Sequence, residues 1–162
     1  MDADKKFTLS EAHRFFAIEF HGKTWDLLEK KDRTSDDDSL MINTAHASCR
    51  HWVEAGTGVN IQRGEWLISR VYNVLGHAQS ALRHALRCME LTDRYADLME
   101  DFDRPFALEA LARAYAAAGA HPEAGGTYQQ ALSLGKLIKD DEDRKIFMSE
   151  LEGGNWYGSK PD

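Results

Sequence analysis

Two stretches of the chain repeat each other: WLISRVYNVLGHAQSALRHALRCMEL at residues 66–91 and EALARAYAAAGAHPEAGGTYQQALSL at residues 109–134. Each residue of the first copy aligns with the residue 43 positions later, so that Trp66 aligns with Glu109. An internal period of this size is typical of stacked helical repeats. The positions at which both copies carry the same residue are Arg70/Arg113, Tyr72/Tyr115, Gly76/Gly119, Ala81/Ala124 and Leu91/Leu134.

Apolar residues recur at helical spacing along the whole chain, and only three prolines interrupt it, which predicts an all-α protein. The first helix begins at the capping-box pattern Thr8-Leu9-Ser10-Glu11 and runs to about residue 31. The second begins at Ser35, with Asp38 as the capping partner, and ends near Ala55, before the helix-breaking segment Gly56-Thr57-Gly58. Further helices are expected at about residues 61–75 and 78–99, from the turn around Pro105 to Gly119, from Pro122 to about residue 139, and at about residues 141–151.

The third to sixth helices resemble two tetratricopeptide repeats, which pair a helix A with an antiparallel helix B. The family's residue types recur in the second copy at Leu108, Leu111, Ala112, Tyr115, Gly119, Ala124, Tyr128 and Ala131, and in the first at Ile68, Ser69, Tyr72, Gly76 and Ala81. The period is longer than the usual repeat of about 34 residues and is similar to that of kinesin light chains. The chain also resembles a group of bacterial tetratricopeptide-like proteins that have no assigned activity.

This resemblance implies antiparallel helix pairs stacked as a short superhelix of about six or seven helices. A single domain is expected over residues 1–152, with repeat copies at about 61–103 and 104–140. Residues 8–56 are compatible with a degenerate repeat, and residues 153–162 are expected to form a flexible tail. In that tail, Trp156 and Tyr157 either dock on the last helix or form an exposed partner-binding element.

In tetratricopeptide proteins, helix A lines a concave groove that binds peptides, so the resemblance implies a binding site there. The residues at its groove-facing positions are Arg63, Trp66, Arg70 and Asn73 in the first copy, and Phe106, Glu109, Arg113 and Ala116 in the second. Guanidinium groups bind carboxylates or phosphates, and tryptophan stacks on planar or cationic groups. The expected ligand is a protein or peptide segment or a small acidic ligand. Alternatively, Arg70 with Glu109, or Glu109 with Arg113, forms a structural ion pair.

Two other functions stay open. In a small-molecule enzyme or sensor, the groove closes into a pocket, and His46 or His84 joins the arginine and glutamate cluster as an acid–base group. The third function is that of a scaffold or oligomerisation subunit. His46 lies near Cys49 on one helix and His84 near Cys88 on another, but neither pair has the spacing of a known metal motif. No metal and no cofactor are therefore predicted.

Composition limits the partners further. The formal net charge of −7 argues against nucleic acid and anionic membranes as partners. The sequence contains no run of about 18 apolar residues, so no transmembrane helix is predicted. The charged N-terminal segment lacks the apolar stretch of a signal peptide, which favours a cytoplasmic location. A homo-oligomer is compatible with the sequence.

Overall fold

A computed structural model describes residues 6–159, which form α-helices, one short 3₁₀ turn and connecting loops, with no strand among them. The predicted all-α fold is confirmed. The seven α-helices of the described residues are α1 (Leu9–Glu29), α2 (Ser35–Ala55), α3 (Gly58–Val74), α4 (Ala78–Arg94), α5 (Asp103–Ala117), α6 (His121–Gly135) and α7 (Asp141–Glu152). None of these helices is long and apolar enough to cross a bilayer.

Side-chain caps fix where the first two helices begin. The Thr8 hydroxyl accepts the Glu11 backbone N–H at 3.2 Å, and the Glu11 carboxylate accepts the Thr8 N–H at 2.8 Å, so the predicted capping box is present. In α2 the predicted cap is wrong by one residue: Thr34 and Asp37 form the reciprocal pair. The pattern occurs in two overlapping registers, and Thr34 has the extended backbone that a cap requires.

Three other predicted boundaries shift. Helix α3 begins at Gly58 instead of Ile61, because the Asn60 side chain accepts the Thr57 N–H at 2.9 Å and thereby caps the segment that was expected to break the helix. Helix α4 ends at Arg94 instead of continuing to Met99, and a 3₁₀ turn follows at Ala96–Leu98. Helix α6 ends at Gly135, short of residue 139.

Glycine ends the first helix of each repeat copy, as the sequence predicts. Gly76 and Gly119 have φ angles of +74° and +76°. Residues other than glycine rarely adopt this left-handed backbone conformation, which allows the chain to reverse direction after α3 and α5. The two turns place α4 against α3 and α6 against α5.

Consecutive helices pack as the pairs α1–α2, α3–α4 and α5–α6, and each pair contacts the next. Small residues allow this close packing: Ala81, Ala85, Ala112 and Ala131 have no exposed surface. The first helices of the pairs also meet one another. Helix α3 contacts α5, and α7 packs on α6, where the ring of Phe147 occupies the space above Gly135. The predicted site lies on this layer of first helices.

Residues 153–159, here called the C-terminal strap, pack against the helices. Trp156 is 5% exposed, its Nε1 donates to the Leu151 carbonyl at 3.1 Å, and its ring meets Tyr128 edge-on. Docking on the protein is therefore the arrangement observed for Trp156, and the tail expected to be flexible from residue 153 is packed as far as residue 159. Residues 160–162 of that tail lie outside the described part of the chain.

Candidate functional site

The predicted groove residues lie on α3 and α5; six of them line two separate pockets, whereas Glu109 and Ala116 line neither. The first, here called the aromatic pocket, has a volume of about 260 Å³, and its walls are His21, Trp25, Gln62, Arg63, Trp66, Phe102, Asp103 and Phe106. The second, here called the polar pocket, has a volume of about 410 Å³, and its walls are Arg70, Asn73, Val74, Arg113, Ser149, Glu150, Gly153, Gly154, Asn155 and Tyr157.

All three predicted arginines have carboxylate partners within the chain. Arg63 makes a two-pronged contact with Asp103, at 2.8 Å from Nε and 2.9 Å from Nη2. Arg70 pairs with Glu150 of α7 at 2.7 Å, and Arg113 pairs with Glu109 at 2.5 Å. The structural ion pair between Glu109 and Arg113 is thus present, whereas Arg70 pairs with Glu150. An acidic ligand would have to displace these carboxylates.

Four aromatic rings wall the aromatic pocket. The ring centroids of Trp25 and Trp66 lie 6.1 Å apart, and Trp66 meets Phe106 edge-on at 5.8 Å. Phe102 also meets Phe106 edge-on. The Arg70 guanidinium lies 5.5 Å from the Trp25 ring and 5.7 Å from the Trp66 ring, within the range of a cation–π contact. Arg70 thus contacts two rings of the aromatic pocket and lines the polar pocket.

The polar groups of the aromatic pocket are uncharged or internally paired. Trp25 Nε1 donates to His21 Nε2 at 3.1 Å, and partial burial lowers the pKa of His21, so its ring is neutral at neutral pH. Gln62 is 1% exposed and donates from Nε2 to Thr92 Oγ1 at 2.9 Å. Gln62 Oε1 and Trp66 Nε1 are buried and have no hydrogen-bond partner among the described residues. The pocket is consequently apolar, with one donor and one acceptor left over.

In the polar pocket, Arg113 fastens the C-terminal strap to the helices. Its Nη2 donates to the Glu150 carbonyl at 2.8 Å, and its Nη1 donates to the carbonyls of Gly153 and Asn155 at 3.1 and 3.2 Å. The guanidinium carbon also lies 4.1 Å from the centre of the Trp156 ring. An arginine predicted to bind a ligand thus binds the chain's own backbone.

Asn73 is the least satisfied polar residue of this pocket. Its side chain is 4% exposed, and neither Nδ2 nor Oδ1 has a hydrogen-bond partner among the described residues. Its backbone carbonyl, in contrast, accepts the Tyr157 hydroxyl at 2.6 Å. Arg70 Nε is also buried and unpaired within the described residues. Two donors and one acceptor on neighbouring turns of α3 therefore lack partners.

Glu109 is buried beside these groups, at 2% exposure. Burial raises the pKa of the Glu109 carboxyl, while the charges of Arg113 and Arg70 act in the opposite direction. The carboxylate is held by Arg113 and lines neither pocket. We interpret it as a structural group that balances the charge of the arginine.

The histidines of the second candidate function form a separate cluster. His46 Nε2 lies 3.0 Å from the Tyr72 hydroxyl, and His84 Nδ1 lies 2.6 Å from Glu65 Oε2. The two imidazole rings meet edge-on at 5.3 Å. Neither histidine lines the aromatic or the polar pocket. The arrangement that would make one of them an acid–base partner of the arginine cluster is therefore not the one observed.

The two cysteines are poor nucleophiles in this structure. Both are buried and unpaired with each other. Burial raises the pKa of Cys49 to about 12 and raises the pKa of Cys88 as well, so both remain thiols at neutral pH. Over residues 6–159, no group of three or more histidine, cysteine, aspartate and glutamate side chains could hold a metal ion.

The α3 and α5 residues of the site are predictable from the sequence, whereas those from the chain ends are not. Trp25 and His21 come from α1, where Trp25 stands out only as a large residue on a first helix. Glu150 of α7 and the C-terminal strap carry no local signal, because their role depends on contacts with Arg70 and Arg113, distant in sequence.

No protein-family model, no curated protein and no solved structure matches the chain.

Proposed function

We propose that this chain is a binding module of the tetratricopeptide type, which holds one apolar side chain of a partner protein segment in the aromatic pocket. The observation that carries the proposal is the pocket itself: Trp25, Trp66, Phe102 and Phe106 border an open cavity of about 260 Å³ between α1, α3 and α5. Large aromatic residues are the usual anchors of protein interfaces. A protein segment is favoured over an acidic ligand, because all three arginines already have carboxylate partners.

One anchor gives modest affinity. Covering an aromatic side chain removes about 150–250 Å² from water, which is worth about 4–6 kcal/mol at about 25 cal/mol per Å². Loss of translational and rotational freedom on association costs at least about 4 kcal/mol. Further contacts along the first-helix layer are therefore needed for micromolar binding, and an extended or helical segment can supply them.

Membership of the tetratricopeptide type is supported by the repeat of 43 residues, by the left-handed glycines that end α3 and α5, and by the pairwise packing of the helices. These features are what the resemblance implies for helices A and B. A cytoplasmic location, which is the expectation from the sequence, is part of the same proposal.

The proposal is tested by selecting a displayed random peptide library on the purified full chain. We expect enriched peptides to share one large apolar residue at a fixed position. Their affinity for Trp25→Ala, measured by fluorescence polarisation, should fall by about tenfold or more, the loss of one partly buried aromatic contact. The matched control is Trp52→Ala, a half-buried tryptophan of α2 that lies outside the aromatic pocket. Equal losses in both variants, or no enrichment in wild type, would contradict the proposal.

A specific observation keeps the scaffold or oligomerisation function as a second candidate. The rings of Phe15, Phe16 and Phe20 form a chain of contacts on α1, and Phe15 and Phe16 are 53% and 42% exposed. Exposed apolar patches on terminal repeats favour self-association. Multi-angle light scattering should then give a dimer for wild type and a monomer for Phe15→Glu. A monomeric wild type at high concentration would remove this candidate.

A further inference from the structure

The polar pocket is a second concave site, distinct from the one used by the proposed function. It has a volume of about 410 Å³, within the range of small-molecule sites. Helix α7 and the C-terminal strap form one side of it, and Arg113 holds that side in place through three backbone carbonyls. The volume of the pocket suits a small molecule.

Three buried polar atoms of its wall residues have no partner within the described chain: Asn73 Nδ2, Asn73 Oδ1 and Arg70 Nε. Asn73 is 4% exposed, and buried amides are normally hydrogen-bonded because an unpaired one destabilises the fold. The local turn does not explain this amide, since the Gly76 N–H and the Tyr157 hydroxyl both donate to the backbone carbonyl of Asn73 and leave its side chain unused. A bound molecule would supply the missing partners.

Charge around the pocket argues for an uncharged ligand. Arg70 is paired with Glu150, and Arg113 is paired with Glu109, so two positive charges face two negative ones. The remaining donors of Arg113 are used by backbone carbonyls of α7 and the strap. No excess positive charge is left to attract an anion, and a carboxylate would additionally meet Glu150.

We propose that the polar pocket binds a small uncharged molecule through a carboxamide group. Because these atoms are buried in the observed conformation, the side chains turn toward the pocket on binding; the carbonyl oxygen then accepts from Asn73 Nδ2 and Arg70 Nε, and the N–H of the carboxamide donates to Asn73 Oδ1. The apolar remainder of the molecule lies against Val74 and Tyr157, which also line the pocket. A primary carboxamide is the smallest common group that presents two acceptor lone pairs beside a donor.

The test compares benzamide with benzoate, which share a phenyl ring and differ in the group that would bind in the pocket: a carboxamide in one and a carboxylate in the other. Each is titrated into the ¹⁵N-labelled full chain, with NMR detection of the Asn73 side-chain amide, the Arg70 Nε–H and the backbone of the strap. Benzamide is expected to shift these signals at millimolar concentration, as suits a fragment of its size, and benzoate at the same concentration is expected to leave them in place.

Asn73→Leu removes both amide atoms and is expected to weaken the benzamide response by about tenfold or more. Asn43→Leu, at an exposed position of α2, is the matched control and should keep the wild-type response. Equal responses to benzamide and benzoate, or no response of these signals to benzamide, would overturn the proposal. The wild-type comparison decides the question by itself if Asn73→Leu does not fold. The peptide selection tests the aromatic pocket separately, so its outcome does not depend on whether benzamide binds.

Discussion

Replacing Asn73 by leucine should stabilise the protein, because a buried amide without hydrogen-bond partners destabilises the folded state. A buried polar group without a partner costs about 1–3 kcal/mol, and the Asn73 side chain, at 4% exposure, has two such atoms. Leucine has the same branching at Cγ, and its additional volume can be taken up by the adjoining pocket of about 410 Å³. We expect the free energy of unfolding to rise by about 1–3 kcal/mol.

The assay is thermal unfolding followed by circular dichroism. For a domain of this size, about 1 kcal/mol corresponds to about 2–4 °C in Tm, so Asn73→Leu should raise Tm by about 5 °C. The matched control is Ser69→Ala, one turn earlier in α3. The Ser69 hydroxyl is also buried, but it donates to the Ala81 carbonyl at 2.9 Å. Its removal should lower Tm by about 3 °C, the loss of a satisfied hydrogen bond of about 1 kcal/mol.

The two substitutions are therefore expected to have opposite signs. A decrease in Tm for Asn73→Leu as large as that for Ser69→Ala would refute the reasoning, because it would mean that the amide is fully partnered in the native protein. Asn73→Ala separates this result from overpacking, since alanine removes the amide without adding volume. If alanine also lowers Tm by about 3 °C or more, the amide stabilises the fold.

Three further predictions concern the residues around the site. Arg113→Ala leaves the Glu109 carboxylate buried without its partner and should lower the free energy of unfolding, measured in urea, by about 3–5 kcal/mol. Adding Glu109→Gln should recover part of this loss. No recovery would argue against a stabilising ion pair between Glu109 and Arg113. Gly135→Ala should lower the free energy of unfolding by about 1–3 kcal/mol, because the new methyl group would lie 1.9 Å from the Phe147 ring. Gly126→Ala, at an open position of the same helix, should raise the free energy of unfolding by about 0.5–1 kcal/mol. Equal effects of the two substitutions would contradict this packing. Burial, and then the charge of His84, lower the pKa of His46. The unfolded chain therefore binds a proton more readily than the folded protein, and Tm should decrease as the pH falls below about 6.5. His46→Gln should make this decrease smaller and Tyr72→Phe should not, whereas unchanged slopes in both variants would assign the effect to other groups.

Local chemistry explains which parts of the fold are predictable from the sequence. The capping pair of Thr8 and Glu11, and the left-handed turns at Gly76 and Gly119, depend on residues within one helical turn, and all are found where expected. The α2 cap is ambiguous because two overlapping patterns fit, and only the backbone conformation at Thr34 selects one. Helix α6 ends at Gly135, where the Phe147 ring of another helix occupies the space that a side chain would fill. That contact between helices is not visible in the local sequence.

The candidate site divides in the same way. The face shared by Arg63, Trp66, Arg70 and Asn73 follows from helical spacing, so α3 presents these residues together as expected. The partners of Arg70 and Arg113 do not follow from it. Glu150 lies 80 residues beyond Arg70, and the strap carbonyls that accept from Arg113 lie 40 and 42 residues beyond it. Such contacts depend on how α7 packs, which a single sequence without an alignment does not encode in any local pattern.

The repeat explains why Asn73 is a better indicator of function than the arginines. Both members of the aligned pair Arg70 and Arg113 are engaged within the chain: Arg70 pairs with Glu150 of α7, and Arg113 pairs with Glu109 of its own helix. Arginines whose charges are balanced inside the protein contribute to its architecture. Asn73, in contrast, aligns with Ala116, which is 2% exposed and has no polar side-chain atom to satisfy. The same helix position is thus filled by a small apolar residue in the second copy, so the fold does not require an amide there. An amide that destabilises the fold and is not needed by the repeat is most simply explained by a ligand that pairs with it.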